Sequence, residues 1–390
     1  MDPTKILVVD DEPDVELLIR QKFAKQIKSH EIEFIFVTNG AEALKAIYQH
    51  PEIHVILTDI NMPEMDGLVL LSHLQDLNRI FKTVIISAYG DMTNIRKAMS
   101  RGASDFITKP IDFKDLEVTI FNAIEQCMML KKALEAQQML SHLEKELTIA
   151  SQIQQSMIPH YFDPFPGIRS FEIYGIMIPA TQVGGDFFDF FPLDEHRLGF
   201  VIGDVSGKGV PAALFMTMCR TVIRATALKA ASPEVCLEEA NRLLCMDNEA
   251  CMFVTTFYGI YHLQSGLIEC TNAGHNPPIL LKADGTQTFI ARNQGVPLGI
   301  VPNYDYQHQQ LTLQNGDCLI LYTDGMIEAR DPQQNDYGEK RFLQAIADWT
   351  PGPLPSLTTH LLDRLAQFTK GTPPFDDIAL FCLRQVSLQL

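Results

Sequence analysis

The chain has 390 residues, 46% of them hydrophobic, and a formal net charge of −17 from 31 basic and 48 acidic side chains. This length indicates two or three domains that each bury a core. No basic cluster stands out in the sequence. Nucleic acid is therefore disfavoured as a primary ligand, and so is an output domain that binds DNA.

The sequence also bears on the compartment. Its first residues, MDPTKILVVDDEPD, carry acids where a secretory signal has an apolar stretch. No apolar run approaches the ~20 residues that a membrane span needs. The eight cysteines form no C-x-x-C pair and no zinc spacing, so free thiols in a reducing compartment are expected. We expect a soluble, cytoplasmic protein that has no membrane partner.

Short apolar runs alternate with helical patterns over residues 1–120. The runs are continuously apolar and β-branched, which is typical of parallel strands covered on both faces. The spacing predicts a doubly wound α/β domain with a parallel five-stranded sheet. The predicted strands are 5–10, 34–38, 54–59, 83–87 and 105–109. The predicted helices are 13–29, 40–49, 66–77 and 92–101.

Polar side chains stand at the ends of four of these strands. They are Asp10 with Asp11, Asp59, Ser87 and Lys109. The carboxyl ends of parallel strands meet at one rim, where ligands bind. Three carboxylates repel one another unless a hard cation such as Mg²⁺ neutralises them, and a lysine there can pair with a phosphate. This set favours phosphoryl transfer onto one aspartate.

The segments VVDDEPD, LTDINMPEMDG, IISAYGD and ITKPID occur in that order. With them, the first 120 residues resemble the receiver domain of two-component response regulators, which implies a sensor histidine kinase as partner. The implied residues are Asp59 as phosphoacceptor, Asp10, Asp11 and the backbone carbonyl of Asn61 as Mg²⁺ ligands, Lys109 as phosphate partner, and Ser87 with Phe106 as switch residues.

Residues 112–158 lack glycine and proline and are rich in helix formers, so they predict one long helix ending before Pro159. Apolar residues at 3-4 spacing form a seam that predicts a coiled coil and a parallel homodimer. The seam residues are Met129, Ala133, Ala136, Leu140, Leu143, Leu147, Ala150 and Met157. Gln154 interrupts the seam, and a helix packed on its own chain is the alternative. The expected domains are 1–120, a helical linker at 121–158, and 159–390.

Strand-like runs dominate after residue 165, and short turns join several of them. This pattern predicts an α+β domain of antiparallel sheets with covering helices. The predicted strands are 171–180, 186–193, 197–204, 253–262, 266–274, 277–285, 317–325 and 377–383. The predicted helices are 210–230, 233–248 and 354–369.

The stretch FVIGDVSGKG at 200–209 invites comparison with a phosphate-binding P-loop. Only three residues separate Gly203 from Gly207, and Gly209 stands where a P-loop has Ser or Thr. The carboxylate of Asp204 inside the loop would repel phosphates. A strand that delivers Asp204 to a turn opened by glycines fits better.

Acids recur at this kind of place in the second half. Asp186, Asp204, Asp324 and the pair Asp376–Asp377 each lie at a strand end beside glycine or at a turn. Scattered carboxylates without His or Cys favour Mg²⁺ or Mn²⁺ over zinc. Two such cations sharing carboxylates generate a nucleophilic water and clamp phosphoryl oxygens, which favours phosphoester hydrolysis.

Residues from about 150 resemble the metal-dependent PP2C-type serine/threonine phosphatases, in the bacterial branch that acts on anti-sigma-factor antagonists. The segments carrying the resemblance are ELTIASQIQQSMIP, VGGDFFD, GDVSGKGVPAALFM, NAGHNPP, GVPLGI, LYTDGMIEAR and FDDIALF. The resemblance implies two sandwiched antiparallel sheets, two Mn²⁺ or Mg²⁺ ions between them, and a phosphorylated STAS-type protein as substrate. The implied ligands are Asp186, Asp204, the Val205 carbonyl, Asp324 and Asp376, with Asp377 as neighbour or substitute.

The chain departs from this family at two positions. Lys208 stands where the branch most often has His, and Ala379 stands where it has Thr or Ser. Neither position is a metal ligand in the family, so activity is expected. Lys208 either holds substrate phosphate or is solvated, and the second is favoured. His275 is either a general acid or a residue that orders its loop, and again the second is favoured.

Together these resemblances imply a response regulator whose output is a phosphatase. Phosphorylation of Asp59 would shift the face around Ser87 and Phe106, and the helix 112–158 would carry the shift to residues 150–160. Family analogy favours activation. The alternatives are a receiver joined to a non-catalytic docking module, and hydrolysis of small phosphoesters at the same metals.

Overall fold

The computed structural model describes residues 3–77, 79–88, 91–290 and 295–386. The chain divides into two compact units, Met1–Leu143 and Glu144–Leu390. The division falls inside one long helix, α6 (Phe113–Met157). Among the described residues, no helix has both the length and the hydropathy that crossing a bilayer requires.

The first unit is the predicted doubly wound α/β domain. Its sheet has the order β2-β1-β3-β4-β5, and every strand pair in it is parallel. The strands are β1 (Thr4–Val9), β2 (Ile32–Val37), β3 (Val55–Asp59), β4 (Lys82–Ala88) and β5 (Asp105–Lys109). The helices before α6 are α1 (Pro13–Lys22), α2 (Ala24–Lys28), α3 (Gly40–Gln49), α4 (Gly67–Asp76) and α5 (Met92–Ser100).

One predicted helix of this unit was wrong in extent. The helix expected at 13–29 is divided at Phe23, whose side chain is fully buried, into α1 and α2. The continuous apolar runs of the strands have the expected cause, since both sheet faces are covered. In β1, Ile6 and Val8 pack in a core with α1 and α6, whereas Leu7 and Val9 pack in a core with α3 and α4.

Helix α6 changes character along its length. Its first turns belong to the core of the first unit, where Leu116, Ile120 and Cys127 are buried. Beyond these turns the helix exposes large apolar side chains, including Met129 and Leu140. The predicted single helix over 112–158 is confirmed. The seam residues Met129, Leu140 and Leu143 are exposed, but so are apolar residues outside the seam, namely Met128, Leu130, Leu134, Met139, Ile149 and Ile153.

The second unit holds two antiparallel five-stranded sheets, as expected. Their orders are β13-β10-β9-β8-β7 and β12-β11-β14-β15-β6. The strands are β6 (Phe171–Ile178), β7 (Phe187–Pro192), β8 (Arg197–Val205), β9 (Val254–His262), β10 (Leu267–Ala273), β11 (Ile279–Leu281), β12 (Gln287–Phe289), β13 (Gln309–Thr312), β14 (Cys318–Tyr322) and β15 (Ile378–Gln385). The helices are α7 (Val210–Ala227), α8 (Pro233–Leu244), α9 (Gly325–Glu328), α10 (Gly338–Ala347) and α11 (Leu354–Thr369).

Aromatic side chains join the two sheets face to face. The ring of Phe381 on β15 lies 5.8 Å from that of Phe188, 6.0 Å from that of Phe190 and 5.9 Å from that of Phe200, measured between centroids. Helices α7 and α8 pack on the outer face of one sheet, and α10 and α11 pack on the other. This layering fixes the strand ends that carry the acids of the second unit.

Candidate carboxylate sites

The rim of the first unit gathers the acids expected there. Asp10 directly follows β1, and Asp59 ends β3, the neighbouring strand. Carboxylate oxygens of Asp10, Asp11 and Asp59 all lie within 4.8 Å of one another, and among the described residues no other three His, Cys, Asp or Glu side chains do so. Asp10 and Asp59 are buried, whereas Asp11 is exposed.

Lys109 bridges these acids from the end of β5. Its Nζ lies 2.6 Å from Asp59 Oδ2, 3.3 Å from Asp10 Oδ2 and 3.0 Å from Glu12 Oε1. Burial alone would lower the pKa of Lys109, but hydrogen bonds to Asp59 and Glu12 raise it, so the ammonium stays charged. The site therefore holds a fixed cation where a phosphoryl group on Asp59 would need one.

The oxygens at this rim fit a hard cation. Asp10 Oδ2 is buried, and the Lys109 ammonium at 3.3 Å is its charged partner. Burial raises the pKa of Asp10, because the charged carboxylate loses the water that would stabilise it. The backbone N–H of Asn61 donates to Asp59 Oδ1 at 3.2 Å. A bound Mg²⁺ would offset the cost of burying the Asp10 charge and would reduce the repulsion between the carboxylates.

The two residues expected to act as a switch lie near this rim in different environments. Ser87 is fully buried on β4, and its hydroxyl has no hydrogen-bond partner within the described ranges. Phe106, on the adjacent strand β5, is 37% exposed. A hydroxyl with unused hydrogen-bonding capacity next to the strand of Lys109 is available to a phosphoryl group on Asp59.

Strand register explains why the acids of the second unit meet. Phe187 of β7 pairs with Gly203 of β8, which places Asp186 beside Asp204 at the edge of one sheet. In the other sheet, Tyr322 of β14 pairs with Leu380 of β15, so Asp324, after β14, and Asp376, before β15, lie at the same end of this strand pair. Each sheet thus contributes two carboxylates at one end of the sandwich.

The pKa values of these acids show that they interact. Burial and the charge of Asp324 raise the pKa of Asp204 to about 7. Burial and the charges of Glu328 and Asp376 raise the pKa of Asp324 to about 6. Burial and the charge of Asp204 raise the pKa of Asp186 well above its usual range. The four carboxylates are therefore close enough to influence one another's ionisation.

This cluster also fits divalent cations. Asp186 Oδ2 is buried and accepts no hydrogen bond from any described residue. A Cβ atom at Gly185 would lie 3.0 Å from the Val205 carbonyl oxygen, so the loop before Asp186 runs directly against the end of β8. The cluster is more open than the rim of the first unit, because no three of its carboxylates meet within 4.8 Å.

The carboxylate of Asp377 accepts hydrogen bonds from two separate backbone positions. Its Oδ1 accepts the N–H of Ala180 at 2.7 Å, and its Oδ2 accepts the N–H of Gly185 at 2.6 Å. A Cβ atom at Gly184 would lie 2.4 Å from Asp377 Oδ2, so the close approach requires glycine. Asp377 thereby fixes the loop that carries Asp186.

We expect Asp377→Ala to lower the free energy of unfolding of this domain by about 3 kcal/mol, because buried amide donors lose a charged acceptor. Chemical denaturation measures this loss. Asp284→Ala, which removes an exposed turn acceptor for the N–H of Thr286, is the control and should change stability little. Equal stability of the two variants would contradict the role given to Asp377.

Gln154 was missed as a functional residue. The sequence placed it as an interruption of the seam on α6, but its side chain is buried. Gln154 Nε2 donates to the Gly184 carbonyl at 2.6 Å, and the Gly184 N–H donates to Gln154 Oε1 at 3.0 Å. A buried amide that satisfies both backbone groups of one residue is a specific anchor. The anchor joins α6 to the loop two residues before Asp186.

Lys208 is half-exposed and also contacts its neighbours. Its Nζ lies 2.9 Å from Asp376 Oδ2 and also donates to the backbone carbonyl of Phe375. His275 has the contacts of a residue that orders its loop. Its Nδ1 lies 2.9 Å from Thr255 Oγ1, its N–H donates to Asn272 Oδ1, and burial lowers its pKa to about 4.

Models of known protein families match each half of the chain. The response regulator receiver domain model matches residues 6–121, and the model of stage II sporulation protein E (SpoIIE) matches residues 194–386. The phosphoserine phosphatase RsbU of Bacillus subtilis is 30% identical over 206 residues, which are 53% of this chain and 60% of that protein. For RsbU and two other relatives that match more than half of this chain, the match spans only 43–60% of their length.

Each unit also resembles a smaller protein. The chemotaxis protein CheY of Treponema pallidum is 35% identical over 114 residues, which are 29% of this chain and 76% of that protein. The solved structure of the SiaA-PP2C domain of Pseudomonas aeruginosa matches 63% of this chain and 98% of its own, at 20% identity and a TM-score of 0.56. That likeness shows the fold of the second unit.

Proposed function

Because the chain belongs to the response regulators through its receiver domain and carries a SpoIIE-type phosphatase domain after it, we propose that it is a metal-dependent protein serine/threonine phosphatase controlled by phosphorylation of Asp59. The observation that carries the proposal is the register of β7–β8 and β14–β15, which brings aspartates from two sheets into one cluster. Sites of this kind suit phosphoester hydrolysis.

In the phosphatase domain, the residues that would hold the cations are Asp186, Asp204, Asp324 and Asp376, through their carboxylates, and Val205, through its carbonyl. Two Mn²⁺ or Mg²⁺ ions held there would supply a water that is nucleophilic near neutral pH and would stabilise the charge on phosphoryl oxygens. The protein contributes positioning, because its backbone amides and side chains hold the loop that carries Asp186. The ion pair of Lys208 with Asp376 offsets part of the excess negative charge.

In the receiver, Asp59 accepts a phosphoryl group from the phosphohistidine of a sensor kinase. The phosphorus–nitrogen bond breaks as the acyl phosphate of Asp59 forms. Asp10, Asp11 and the Asn61 carbonyl hold Mg²⁺, and Lys109 compensates the added charge. The buried hydroxyl of Ser87 turns toward the phosphoryl group, and Phe106 moves with it.

We further propose that α6 transmits this change. The helix is continuous from Phe113 to Met157, and Gln154 near its end anchors the loop of Asp186. Movement of α6 would reposition Asp186 and tighten the open carboxylate cluster, which makes phosphorylation activating. The apolar seam on the exposed part of α6 would pair two chains in a parallel dimer.

Gln154→Ala should remove this coupling. We expect acetyl phosphate, a small phosphodonor, to raise the phosphatase rate of the wild type but to leave the rate of the variant nearly unchanged. The reason is that the variant's α6 no longer holds the Gly184 backbone. The rate with and without acetyl phosphate is the measurement, and Gln155→Ala, the exposed neighbour on α6, is the control. Full stimulation of Gln154→Ala would contradict the role of the anchor.

The substrate proposed is a phosphoserine or phosphothreonine on a small regulatory protein of the STAS type. The name of RsbU, a phosphoserine phosphatase, supports the phosphoserine part of this assignment. Capture of the partner from a lysate, mapping of its phosphosite and comparison of its turnover with that of p-nitrophenyl phosphate test the proposal. Turnover of small esters alone would favour a small-molecule hydrolase, and metal-dependent turnover of neither would favour a docking module.

A further inference from the structure

Two cations lie on one aromatic ring beside the carboxylate cluster of the phosphatase domain. The ring belongs to Phe375, which directly precedes Asp376 and is 45% exposed. Lys208 Nζ lies 4.2 Å from the ring centroid, and Arg330 Cζ lies 4.4 Å from the same centroid. Both distances are within the range of cation–π attraction. We call these three residues the cationic rim.

Lys208 and Arg330, the two cations of the cationic rim, differ in how much hydrogen-bonding capacity they have left. Lys208 is committed to the Asp376 carboxylate and to the Phe375 carbonyl. Arg330 uses Nε for Asp336 Oδ1 at 3.1 Å, while its Nη1 and Nη2 atoms have no hydrogen-bond partner in the part of the chain that the structure describes. The side chain of Arg330 is 37% exposed. Its forked end is therefore free to bind an anion.

The segment after Arg330 fixes the direction of its side chain. Asp331 Oδ1 accepts the backbone N–H groups of Gln333 and Asn335, each at 2.9 Å. The N–H of Tyr337 donates to the Ala329 carbonyl at 2.8 Å and closes the loop. A guanidinium that is held by its loop, by Asp336 and by a ring loses little conformational entropy when it binds a ligand.

We propose that Arg330 binds the phosphate group of the substrate, a phosphate monoester dianion, as it enters the carboxylate cluster. This inference rests on the proposed phosphatase function. Asp324, Glu328 and Asp376 place several negative charges close together here, and an approaching dianion needs a cation outside the ligand set. A planar guanidinium can donate hydrogen bonds to two phosphate oxygens at once. Lys208 is less suited to this role, because its ammonium already contacts Asp376 and the Phe375 carbonyl.

The test uses the full chain loaded with Mn²⁺, and inorganic phosphate is the probe. Isothermal titration should show that Arg330→Ala binds phosphate about tenfold more weakly than the wild type, as expected for the loss of a charged hydrogen bond. The KM for p-nitrophenyl phosphate should rise by a similar factor, while kcat changes less than about threefold. Arg330→Lys should recover part of the phosphate affinity, and Phe375→Leu, at an exposed position, should lose part of it.

Arg242→Ala is the matched control, because Arg242 is an exposed arginine paired with Glu239 on α8. Unchanged phosphate affinity in Arg330→Ala, a fall in kcat at constant KM, or a wild type that binds no phosphate would each overturn the inference. A wild type that binds phosphate but hydrolyses no ester would refute the proposed function alone. The comparison of phosphate affinities would then still decide the role of Arg330.

Discussion

Replacing Asp204 with Asn should lower metal-dependent dephosphorylation by roughly a thousandfold or more, because the cluster loses a ligand that contributes several kcal/mol to the transition state. Asp204 is expected to have this effect because it interacts both with Asp186 of its own sheet and with Asp324 of the other sheet. Initial rates of phosphate release from a phosphoserine protein with added Mn²⁺ give the measurement.

The same variant should remain folded. Burial and the neighbouring charges raise the pKa of Asp204 to about 7, so its ionised form is disfavoured in the metal-free protein. A neutral Asn removes this repulsion, and we expect the metal-free Tm to be equal to or higher than that of the wild type. The rise in Tm that Mn²⁺ gives the wild type should shrink in the variant.

Asp194→Asn is the control for this experiment, since Asp194 lies at an exposed turn of the same domain and pairs with Arg197. It should retain wild-type activity and the full rise in Tm with Mn²⁺. Metal-dependent activity of Asp204→Asn near the wild-type rate would show that the cluster is not the catalytic centre.

The second large effect is expected at Asp59. Asp59→Asn should take up no label from radioactive acetyl phosphate, because the amide is a poor nucleophile and cannot form the acyl phosphate. Stimulation of the phosphatase by acetyl phosphate should disappear with the label, while the unstimulated rate stays near that of the wild type. Label incorporation and phosphate release are measured on the same preparation.

Asp76→Asn, at an exposed position at the end of α4, provides the comparison and should be labelled and stimulated as the wild type is. A label that persists in Asp59→Asn would place the phosphoacceptor elsewhere. Stimulation without a label would mean that the phosphodonor acts on the phosphatase domain directly.

The sequence was most informative where chemistry and strand pattern coincide. Asp10, Asp59 and Lys109 each stand next to a continuous apolar run, and a parallel sheet brings the ends of its strands to one rim. In the second unit, Asp186 and Asp204 could be chosen as candidates because glycines flank them at strand ends. Their adjacency depends on the antiparallel register of β7 and β8, which no local pattern specifies.

The features that the sequence did not predict depend on contacts between distant segments. Gln154 fits the spacing of α6 and is polar, so it looked like a defect in the seam. Its partner, Gly184, lies 30 residues away. Strands β12 and β13 were missed because they are short and polar, and α10 was missed although Phe342, Ala345 and Ile346 have helical spacing.

A buried ion cluster was missed for a similar reason. Asp189 on β7 is fully buried and lies 3.0 Å from Arg220 Nη2 and 3.1 Å from Arg224 Nη1, both on α7. The apolar residues of α7 correctly predicted a helix that covers the core. Its two arginines, one turn apart, were the available signal of a buried carboxylate partner.

Phosphate release from a phosphorylated STAS-type protein, measured with the full chain in the presence and absence of Mn²⁺ and of acetyl phosphate, tests the central claim most directly. We expect release only with Mn²⁺, and a faster rate when acetyl phosphate is also present. Undiminished release by the chelator-treated chain, or a rate that acetyl phosphate leaves unchanged, would contradict a metal-dependent phosphatase under the control of its receiver.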